Sequence, residues 1–259
     1  MAAVSITRPI KLALEEVQNY SILVGRTIGA IVRRPQYWRD TFVQMDVIGV
    51  QSLVIVTLTG VFTGMVLALQ SSVQLSRFGA SLFVGQLVAA SVIRELGPVL
   101  TALMVAGRVG SGIAAELGSM KVGEQIDALQ AMGTDPIKKL VKPRVLAGVV
   151  MLPLLTVATD FIAIVGGHLM AWATLHQGAS TYWNAVWSGL YMSDLVTGMI
   201  KPLVFGFVIT TMACYMGLRT TGGTEGVGRS TTQAVVISSV LILATDFFMT
   251  KLFIELFGH

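Results

Sequence analysis

Five long apolar segments limit what this chain can fold into. They lie at Val47–Leu69, Leu82–Ile113, Val145–Ala173, Leu195–Leu218 and Ala234–Phe253, and are here termed spans 1 to 5. A helix needs about 20 mostly apolar residues to cross a bilayer, and each of these segments is long enough. Their continuity favours helices over the short alternating strands of a membrane β-barrel. Since 12% of the residues are charged, about half the share in soluble domains, we predict an all-α membrane protein with residues 1–259 in one domain.

Lysine and arginine are distributed unequally between the two ends of these spans. Six precede span 1, five lie between spans 2 and 3, and two lie between spans 4 and 5. The opposite ends carry Arg77 and Lys251. Because cytoplasmic loops are enriched in Lys and Arg, we expect the N-terminus in the cytoplasm and the C-terminus outside it. The same asymmetry accounts for the net charge of +4 without a nucleic-acid partner.

A helical repeat precedes span 1. Mostly apolar residues recur at spacings of three and four and form one stripe: Ile10, Leu14, Val17, Ser21, Val24, Ile28 and Ile31. This is the period of an amphipathic helix, and basic residues near its ends suit a helix lying in the membrane interface. We predict that residues 1–45 form this interfacial elbow helix and that residues 46–259 form the five-span core. The alternative is a sixth helix packed into the bundle.

Two adjacent charged residues, Arg94 and Glu95, lie inside span 2. No other charge occurs between Leu82 and Gly107. A charge near the bilayer centre costs at least ~2.5 kcal/mol on insertion scales, so both residues need compensating contacts. Neighbours in sequence do not face each other on a helix, and the contacts must therefore come from elsewhere.

Three explanations for this pair remain open. In the first, Arg94 or Glu95 forms ion pairs with charged residues of other spans, namely Asp160, Lys201 or Asp246. In the second, the pair lines a substrate cavity in which Arg94 meets a phosphate group, and Pro98 lets the helix bend beside it. In the third, the pair marks a proton or ion path.

Other intramembrane features are interpreted as structural. Gly60 and Gly64 form a G-x-x-x-G motif, which permits close approach of a second helix. Arg108 and Lys201 lie near the ends of spans 2 and 4, where their long side chains can reach the interface. These residues are expected to support packing rather than chemistry.

The long loop between spans 2 and 3 contains a short helix candidate from about Gly123 to Met132. Its apolar face would carry Val122, Ile126, Leu129 and Met132, and its polar face Glu124, Gln125, Asp127 and Gln130. Gly133 is a plausible helix stop, with Pro136 beyond it. A short amphipathic helix on the cytoplasmic side is suited to a groove on another protein. A solvated connector is the alternative.

Catalytic motifs are missing from the sequence. The histidines, His168, His176 and His259, form no H-E-x-x-H motif, and no G-x-S-x-G occurs. Gly223–Ser230 resembles a phosphate-binding loop but carries Arg229 where lysine is needed. It is predicted as a tight turn, with Ser230 or Thr231 capping span 5. An enzyme and a metal site are therefore not expected, and a pure scaffold would leave the intramembrane charges unexplained.

Three stretches carry a resemblance to a known family. GRVGSGIAAELGSMKVGEQIDALQAMGTDP, TGGTEGVGRSTTQAVV and RELGP closely resemble the MlaE permease family of ABC transporters, from about Arg33 to the last span. The resemblance implies a permease in the bacterial inner membrane that forms a homodimer. It would move phospholipid between the inner and outer membranes and maintain outer-membrane lipid asymmetry. A proton-coupled secondary transporter of an amphipathic substrate is the alternative, and would need no ATPase.

The resemblance also implies partners and leaves this chain without a cofactor. An MlaF-like ATPase would bind ATP and Mg²⁺, with an MlaB-like STAS protein attached to it. An MlaD-like hexamer of MCE domains would lie on the periplasmic face. The loop helix would be the coupling helix that docks on the ATPase, through Glu124, Gln125, Asp127, Leu129, Met132 and Asp135.

A lipid substrate favours the cavity explanation, since a lipid needs apolar walls and one polar position. The expected cavity residues are Leu67, Leu69, Leu75, Phe78, Arg94, Glu95, Leu96 and Leu103. Glu95 would repel an anionic phosphate. A role for the pair in a gate, or towards the MCE partner, therefore stays open as well.

Overall fold

The computed structural model describes residues 2–257 and shows a helical bundle with no strand in that range. Side chains are described except at positions 2–10, 12, 13, 32 and 257. Ile10 of the predicted stripe and His259 therefore lie outside the described side chains. The all-α prediction is confirmed.

The described chain forms α-helices joined by short turns. They are α1 (Ala2–Val32), α2 (Trp38–Ile48), α3 (Leu53–Ser76), α4 (Val84–Ser91), α5 (Gly97–Val105), α6 (Ser111–Val122), α7 (Gln125–Ala131), α8 (Lys142–Leu175), α9 (Ala179–Ser188), α10 (Met192–Leu218) and α11 (Gly223–Phe257). Wider π-helical turns occur at Val92–Leu96, Ala106–Gly110 and Ile137–Val141. They continue the neighbouring helices rather than break them.

Within the described residues, five helical segments are long and apolar enough to cross a membrane, which confirms the predicted count. They run over Trp38–Ser76, Ser81–Val122, Ile137–Leu175, Met192–Leu218 and Gly223–Leu256. Every predicted span lies inside one of these segments. The predicted domain boundary after residue 45 falls within α2, because the elbow continues into span 1 with one short 3₁₀ turn at Val50–Ser52.

The predicted turn over Gly223–Ser230 is wrong. α11 already begins at Gly223, and the reversal lies at Gly222 and Gly223, whose φ angles are +88° and +68°. Glycine adopts this left-handed region without a steric penalty. Ser230 does not cap the span. Its hydroxyl hydrogen-bonds to that of Thr220 at 2.9 Å and ties the start of span 5 to the end of span 4.

Spans 1 and 3 approach each other at backbone distance. A Cβ placed on Gly60 would lie 2.9 Å from the carbonyl oxygen of Thr159, and one on Gly64 would overlap the carbonyl of Ala163. From span 3, a Cβ on Gly166 would lie 2.6 Å from the carbonyl oxygen of Val61. Small residues of this kind permit close helix packing in membranes, as the G-x-x-x-G motif predicts.

Much of the stripe predicted on α1 is exposed, although Ile31 packs against the core. Leu14 and Val17 are 65% and 63% exposed. The opposite face contacts the protein instead: Thr27 is buried, and the hydroxyls of Tyr20 and Thr211 are hydrogen-bonded at 2.9 Å. An exposed apolar face suits contact with lipid. The interfacial position of α1 stays a prediction.

Arg108 has a structural role at the joint between α2 and α3. Its Nη1 donates to the carbonyl of Val47 at 3.1 Å and to the hydroxyl of Ser52 at 2.8 Å. Its Nη2 donates to Oε1 of Gln51 at 2.8 Å. These bonds satisfy the polar groups at the joint between α2 and α3, so one guanidinium fixes the elbow to span 2.

A short helix that the sequence analysis missed, α9, lies between spans 3 and 4. Its Tyr182 is fully buried and donates from Oη to the carbonyl of Ile164 at 3.1 Å. Burial raises the pKa of Tyr182, so the phenol stays neutral and remains a donor. Helix α9 therefore closes the end of the bundle over α4 and α8.

Replacing Gly64 tests the close packing of spans 1 and 3. Gly64→Val should destabilise the fold by about 2 kcal/mol or more, because added atoms in a filled core force backbone shifts. Gly112→Ala is the matched control, since no atom lies within 4 Å of its built Cβ. Thermal unfolding of the purified protein in detergent should show a lower Tm for Gly64→Val alone. Equal Tm values for both variants would contradict the packing.

Candidate functional site

The centre of the site is the ammonium group of Lys201. Its side chain is fully buried in α10, with Nζ 2.6 Å from Oε2 of Glu95 and 3.0 Å from Oδ1 of Asp246. It also donates to the carbonyl of Arg94 at 2.9 Å and to Oγ1 of Thr250 at 2.8 Å. Spans 2, 4 and 5 therefore meet around one cation.

Arg94 has a separate carboxylate partner. Its Nε lies 2.7 Å from Oδ1 of Asp194, in the first turn of α10. The other oxygen of Asp194 accepts the backbone N–H of Tyr191 at 3.0 Å and so caps the same helix. Asp194 is thus fixed at the start of span 4, where it orients the guanidinium of Arg94.

The backbone around Pro98 explains how adjacent residues reach different partners. Pro98 has no N–H to donate to the carbonyl of Arg94, as a regular helix would require. The π-helical turn at Val92–Leu96 lies immediately before it, and such turns are frequent at functional sites. Lys201 donates to the freed carbonyl. Because Pro98 has no N–H, the carbonyl of Arg94 is free to act as one of the four acceptors around the lysine.

A cavity of about 160 Å³ opens beside these ion pairs. Its lining combines charged, hydroxyl and apolar side chains from spans 2, 4 and 5: Arg94, Glu95, Ser193, Asp194, Thr197, Thr250, Phe253 and Ile254. The side chains of Arg94 and Glu95 are 33% and 41% exposed. Both charges are therefore held by the protein on one side and accessible from the cavity on the other.

The structure shows ion pairs for Arg94 and Glu95, as in the first explanation, and it places both residues at a cavity, where substrate binding stays a prediction. Of the predicted ion-pair partners, Lys201 pairs with Glu95, and Asp246 joins the same cluster through its own ion pair with Lys201. Lys201 is not a snorkelling residue, because it is enclosed between helices. Asp194 was missed, although its position three residues after Tyr191 at a helix start is typical of a capping carboxylate.

Asp160 takes no part in the cluster. It is buried, its Oδ1 has no hydrogen-bond partner in the described chain, and a Cβ on Gly97 would overlap that oxygen. Glycine at this position therefore leaves room for the carboxyl group. The predicted ion pair between Asp160 and Arg94 or Glu95 is not formed.

The predicted cavity leucines are distributed over several surfaces. Leu67 and Leu75 pack against the core cluster around Val88 and Tyr182, and Leu103 packs against another core cluster. Leu96 lines a narrow crevice between spans 1, 2 and 3. Phe78 and Leu69 are exposed on the outside, Phe78 by 83%. Within the chain, Arg94 and Glu95 are the predicted residues that line the cavity, and lipid contact by the others stays a prediction.

The loop helix α7 is shorter than predicted. It begins after Glu124, whose φ of +55° turns the chain sharply, and it buries Ile126. Asp127 pairs with Lys121 at 2.8 Å. Asp135 accepts the N–H of Ile137 at 3.0 Å and so starts the next helical turn.

Two of the predicted apolar residues of this loop are exposed. Met132 is 71% exposed, and Val122 is also exposed. Leu129 is half-buried, and Glu124 and Gln125 are exposed. The described surface of the loop therefore presents Met132 and Val122 among carboxylates and amides.

Comparison with known proteins assigns the family. The chain matches the family described as Permease MlaE over residues 41–252. This chain belongs to the MlaE permease family. The matched range includes all the residues of the charged cluster and the whole of α7.

Relatives match this MlaE-family chain over nearly its whole length. It is 44% identical to a probable ABC transporter permease protein of Rickettsia bellii over 248 residues, which cover 96% of this chain and 95% of the relative. It is 40% identical to the intermembrane phospholipid transport system permease protein MlaE of Haemophilus influenzae, covering 92% of this chain and 94% of that protein. The chloroplastic protein TRIGALACTOSYLDIACYLGLYCEROL 1 of Arabidopsis thaliana is 38% identical, covering 90% and 67% respectively.

Removing the central cation tests the charged cluster. Lys201→Met should destabilise the protein by about 3 kcal/mol, because breaking a buried ion pair leaves its partner charge uncompensated. Adding Glu95→Gln and Asp246→Asn to the same chain should recover part of that loss. Thermal unfolding in nanodiscs measures both effects.

The control is Lys251→Met on α11, where the lysine is exposed and 4.0 Å from Glu255. Exposed pairs of this kind contribute at most about 1 kcal/mol. A Tm for Lys201→Met as high as that of the control would show that the ammonium group is not needed to hold spans 2, 4 and 5 together.

Proposed function

We propose that this chain is the membrane-spanning permease subunit of an ATP-driven transporter that moves phospholipids between the inner and outer membranes. The observation that carries the proposal is a half-open cavity with paired charges inside a bundle of the MlaE family. The Haemophilus influenzae relative is named for intermembrane phospholipid transport. In a Gram-negative cell, this activity maintains the lipid asymmetry of the outer membrane.

The geometry of Arg94 suits a phosphate group. Asp194 contacts Nε, while neither Nη1 nor Nη2 has a hydrogen-bond partner among the described residues. The two terminal nitrogens are the ones that bind phosphate as a fork. Asp194 therefore holds Arg94 at Nε, and the N–H groups of Nη1 and Nη2 are left to donate into the cavity.

The same cluster reduces the repulsion that Glu95 would exert on a phosphate. Lys201 lies 2.6 Å from one carboxylate oxygen of Glu95, and the hydroxyl of Thr250 lies 3.2 Å from both. A carboxylate in contact with a buried cation presents less negative charge to its other side. Acyl chains would leave the cavity past Phe253 and Ile254 towards the membrane.

Span 5 supports a homodimer. In the apolar window of this helix, 11% of the residues are buried inside the chain, against 50% or more in spans 2, 3 and 4. Its exposed residues are large and apolar, including Val236, Val240, Leu243 and Phe247. Within a membrane, a face of this kind contacts lipid or a second protein. In the proposal, a second copy covers part of it, and the two copies enclose the lipid path.

The energy source in the proposal is a separate ATPase. An MlaF-like subunit binds ATP and Mg²⁺ and contacts α7 and Met132, with an MlaB-like STAS protein attached. An MlaD-like MCE hexamer receives lipid on the periplasmic face. The N-terminus and α7 then lie in the cytoplasm and the C-terminus in the periplasm, as the distribution of Lys and Arg favours.

Arg94 provides the first test of this function. Arg94→Gln removes the charge and the two terminal nitrogens of the guanidinium but keeps a polar side chain. Phospholipid retained by the purified complex, measured by mass spectrometry, should fall about tenfold, the effect of losing a charged hydrogen bond of about 1.5 kcal/mol or more. Lys251→Gln, on exposed α11, is the control. Equal lipid retention in both variants would exclude Arg94 from the binding site.

The second test concerns coupling to the ATPase. Met132→Glu, and separately Glu124→Lys, should release the co-expressed MlaF-like subunit during purification and lower lipid-dependent ATP hydrolysis. Glu255→Lys, at the opposite end of the bundle, should leave both unchanged. An intact complex with full ATPase activity would contradict docking at α7. Transport that persists without ATP and stops when the proton gradient is dissipated would instead identify a secondary transporter.

A further inference from the structure

A second and larger cleft lies at the other end of the bundle. It has a volume of about 670 Å³ and opens between α1, α10 and α11; we term it the helix-1 cleft. Its apolar walls are formed by Val17, Tyr20, Met212, Met216, Ile237 and Leu241. Arg219, at its mouth, follows Lys201 by 18 positions, which is about 27 Å along a helix axis. The cleft is therefore distinct from the cavity beside Arg94.

The mouth of the helix-1 cleft carries one positive and one negative group. Nη1 of Arg219 donates to Oε2 of Glu16, and also to Oη of Tyr215 at 2.6 Å. Tyr215 in turn donates to the same Glu16 oxygen at 2.7 Å. These contacts hold the guanidinium and the carboxylate side by side, across the joint between α1 and span 4.

Each of these charged groups keeps one side without a partner. Among the described residues, Nη2 of Arg219 and Oε1 of Glu16 have no hydrogen-bond partner, and both side chains are about half exposed. The pair thus offers a donor that suits a phosphate and, next to it, an acceptor that suits an ammonium group. A zwitterion matches this arrangement, whereas a ligand with negative charge alone would meet Glu16.

The rest of the cleft suits a hydrocarbon chain. Its walls come from two spans and from α1, next to the exposed apolar stripe that includes Leu14. Two methionines, Met212 and Met216, contribute flexible side chains that adapt to a chain of variable shape. Its volume lies within the range of about 300–1,000 Å³ typical of sites for small molecules. An apolar wall with a paired-charge mouth therefore has the polarity pattern of a phospholipid.

We infer that the helix-1 cleft binds one phospholipid with a zwitterionic ethanolamine headgroup, its phosphate on Arg219, its ammonium on Glu16 and an acyl chain between α1 and spans 4 and 5. The bound lipid completes the packing of α1, which otherwise contacts the bundle through few residues. The site does not depend on transport, since no residue of the Arg94 cavity takes part.

The experiment uses the full chain in nanodiscs that contain a phospholipid with a photoreactive diazirine on one acyl chain. Three headgroups are compared at equal amounts: ethanolamine, choline and glycerol. Mass spectrometry maps the labelled peptides. With the ethanolamine lipid, label is expected on the segments that contain Met216 and Ile237. The glycerol lipid should label them about fivefold less, the effect of one net hydrogen bond of about 1 kcal/mol.

Two test variants, each with a control, separate the parts of the inference. Ile237→Trp fills the cleft and should remove the label, whereas Leu243→Trp, exposed on the same helix outside the cleft, should not. Glu16→Gln keeps a polar contact to Arg219 and removes the acceptor charge, so the preference for ethanolamine over glycerol and choline should disappear. Arg94→Gln should leave the label unchanged, which separates this site from the proposed transport function.

Three results would overturn the inference. Equal label in Ile237→Trp and Leu243→Trp would show that the lipid lies outside the cleft. Equal label from all three headgroups in the unaltered chain would exclude recognition by Glu16 and Arg219. Crosslinks between two copies of the chain at these segments would show that protein, and not lipid, occupies the cleft. A monodisperse elution profile is required of each variant, so that loss of label reports on binding.

Discussion

The burial of one ammonium group organises the bundle. Lys201 is surrounded by low-dielectric protein, where an unpaired charge is strongly unfavourable, so every neighbouring polar group must approach it. Glu95, Asp246, Thr250 and the carbonyl of Arg94 do so from two other spans. These contacts require spans 2, 4 and 5 to have one particular rotation about their helix axes and one particular position along them. The cavity beside Arg94 exists because the same charges cannot be covered by apolar side chains.

A backbone irregularity and a charge compensate each other at this point. Pro98 removes a donor from span 2, and Lys201 supplies one in its place. Each feature alone would be unfavourable inside a membrane, where unsatisfied backbone groups cost several kcal/mol. In this arrangement Nη1 and Nη2 of Arg94 stay free to donate, and the ion pair with Lys201 reduces the effective charge of Glu95. In the proposal, these two groups face the headgroup of a lipid.

The cavity beside Arg94 and the helix-1 cleft lie at opposite ends of α10 and have similar linings. Each combines an arginine held by a carboxylate, a set of hydroxyl groups and an apolar wall facing the membrane side. They differ in what surrounds the ion pair. Near Arg94, a buried lysine offsets the excess of carboxylates, whereas Arg219 and Glu16 balance each other. Span 5 contributes to both clefts, so a shift of this helix would change both. In the proposal, span 5 is also the helix that a second copy contacts.

The sequence determined the helical class, the five spans, the G-x-x-x-G contact, the family and the importance of Arg94 and Glu95, because these follow from hydropathy along the chain and from local motifs. It also named Lys201 among the candidate partners of Arg94 and Glu95, and Lys201 pairs with Glu95. Only the tertiary structure decided that Asp194 pairs with Arg94 and that Asp160 lies outside the charged cluster. It also decided that Lys201 is buried between helices and that the predicted leucines lie on separate surfaces. The physical reason is that a partner on another helix depends on the rotation and height of both helices. The π-helical turn at Val92–Leu96 helps to fix these quantities, and it leaves no periodic signal in the sequence.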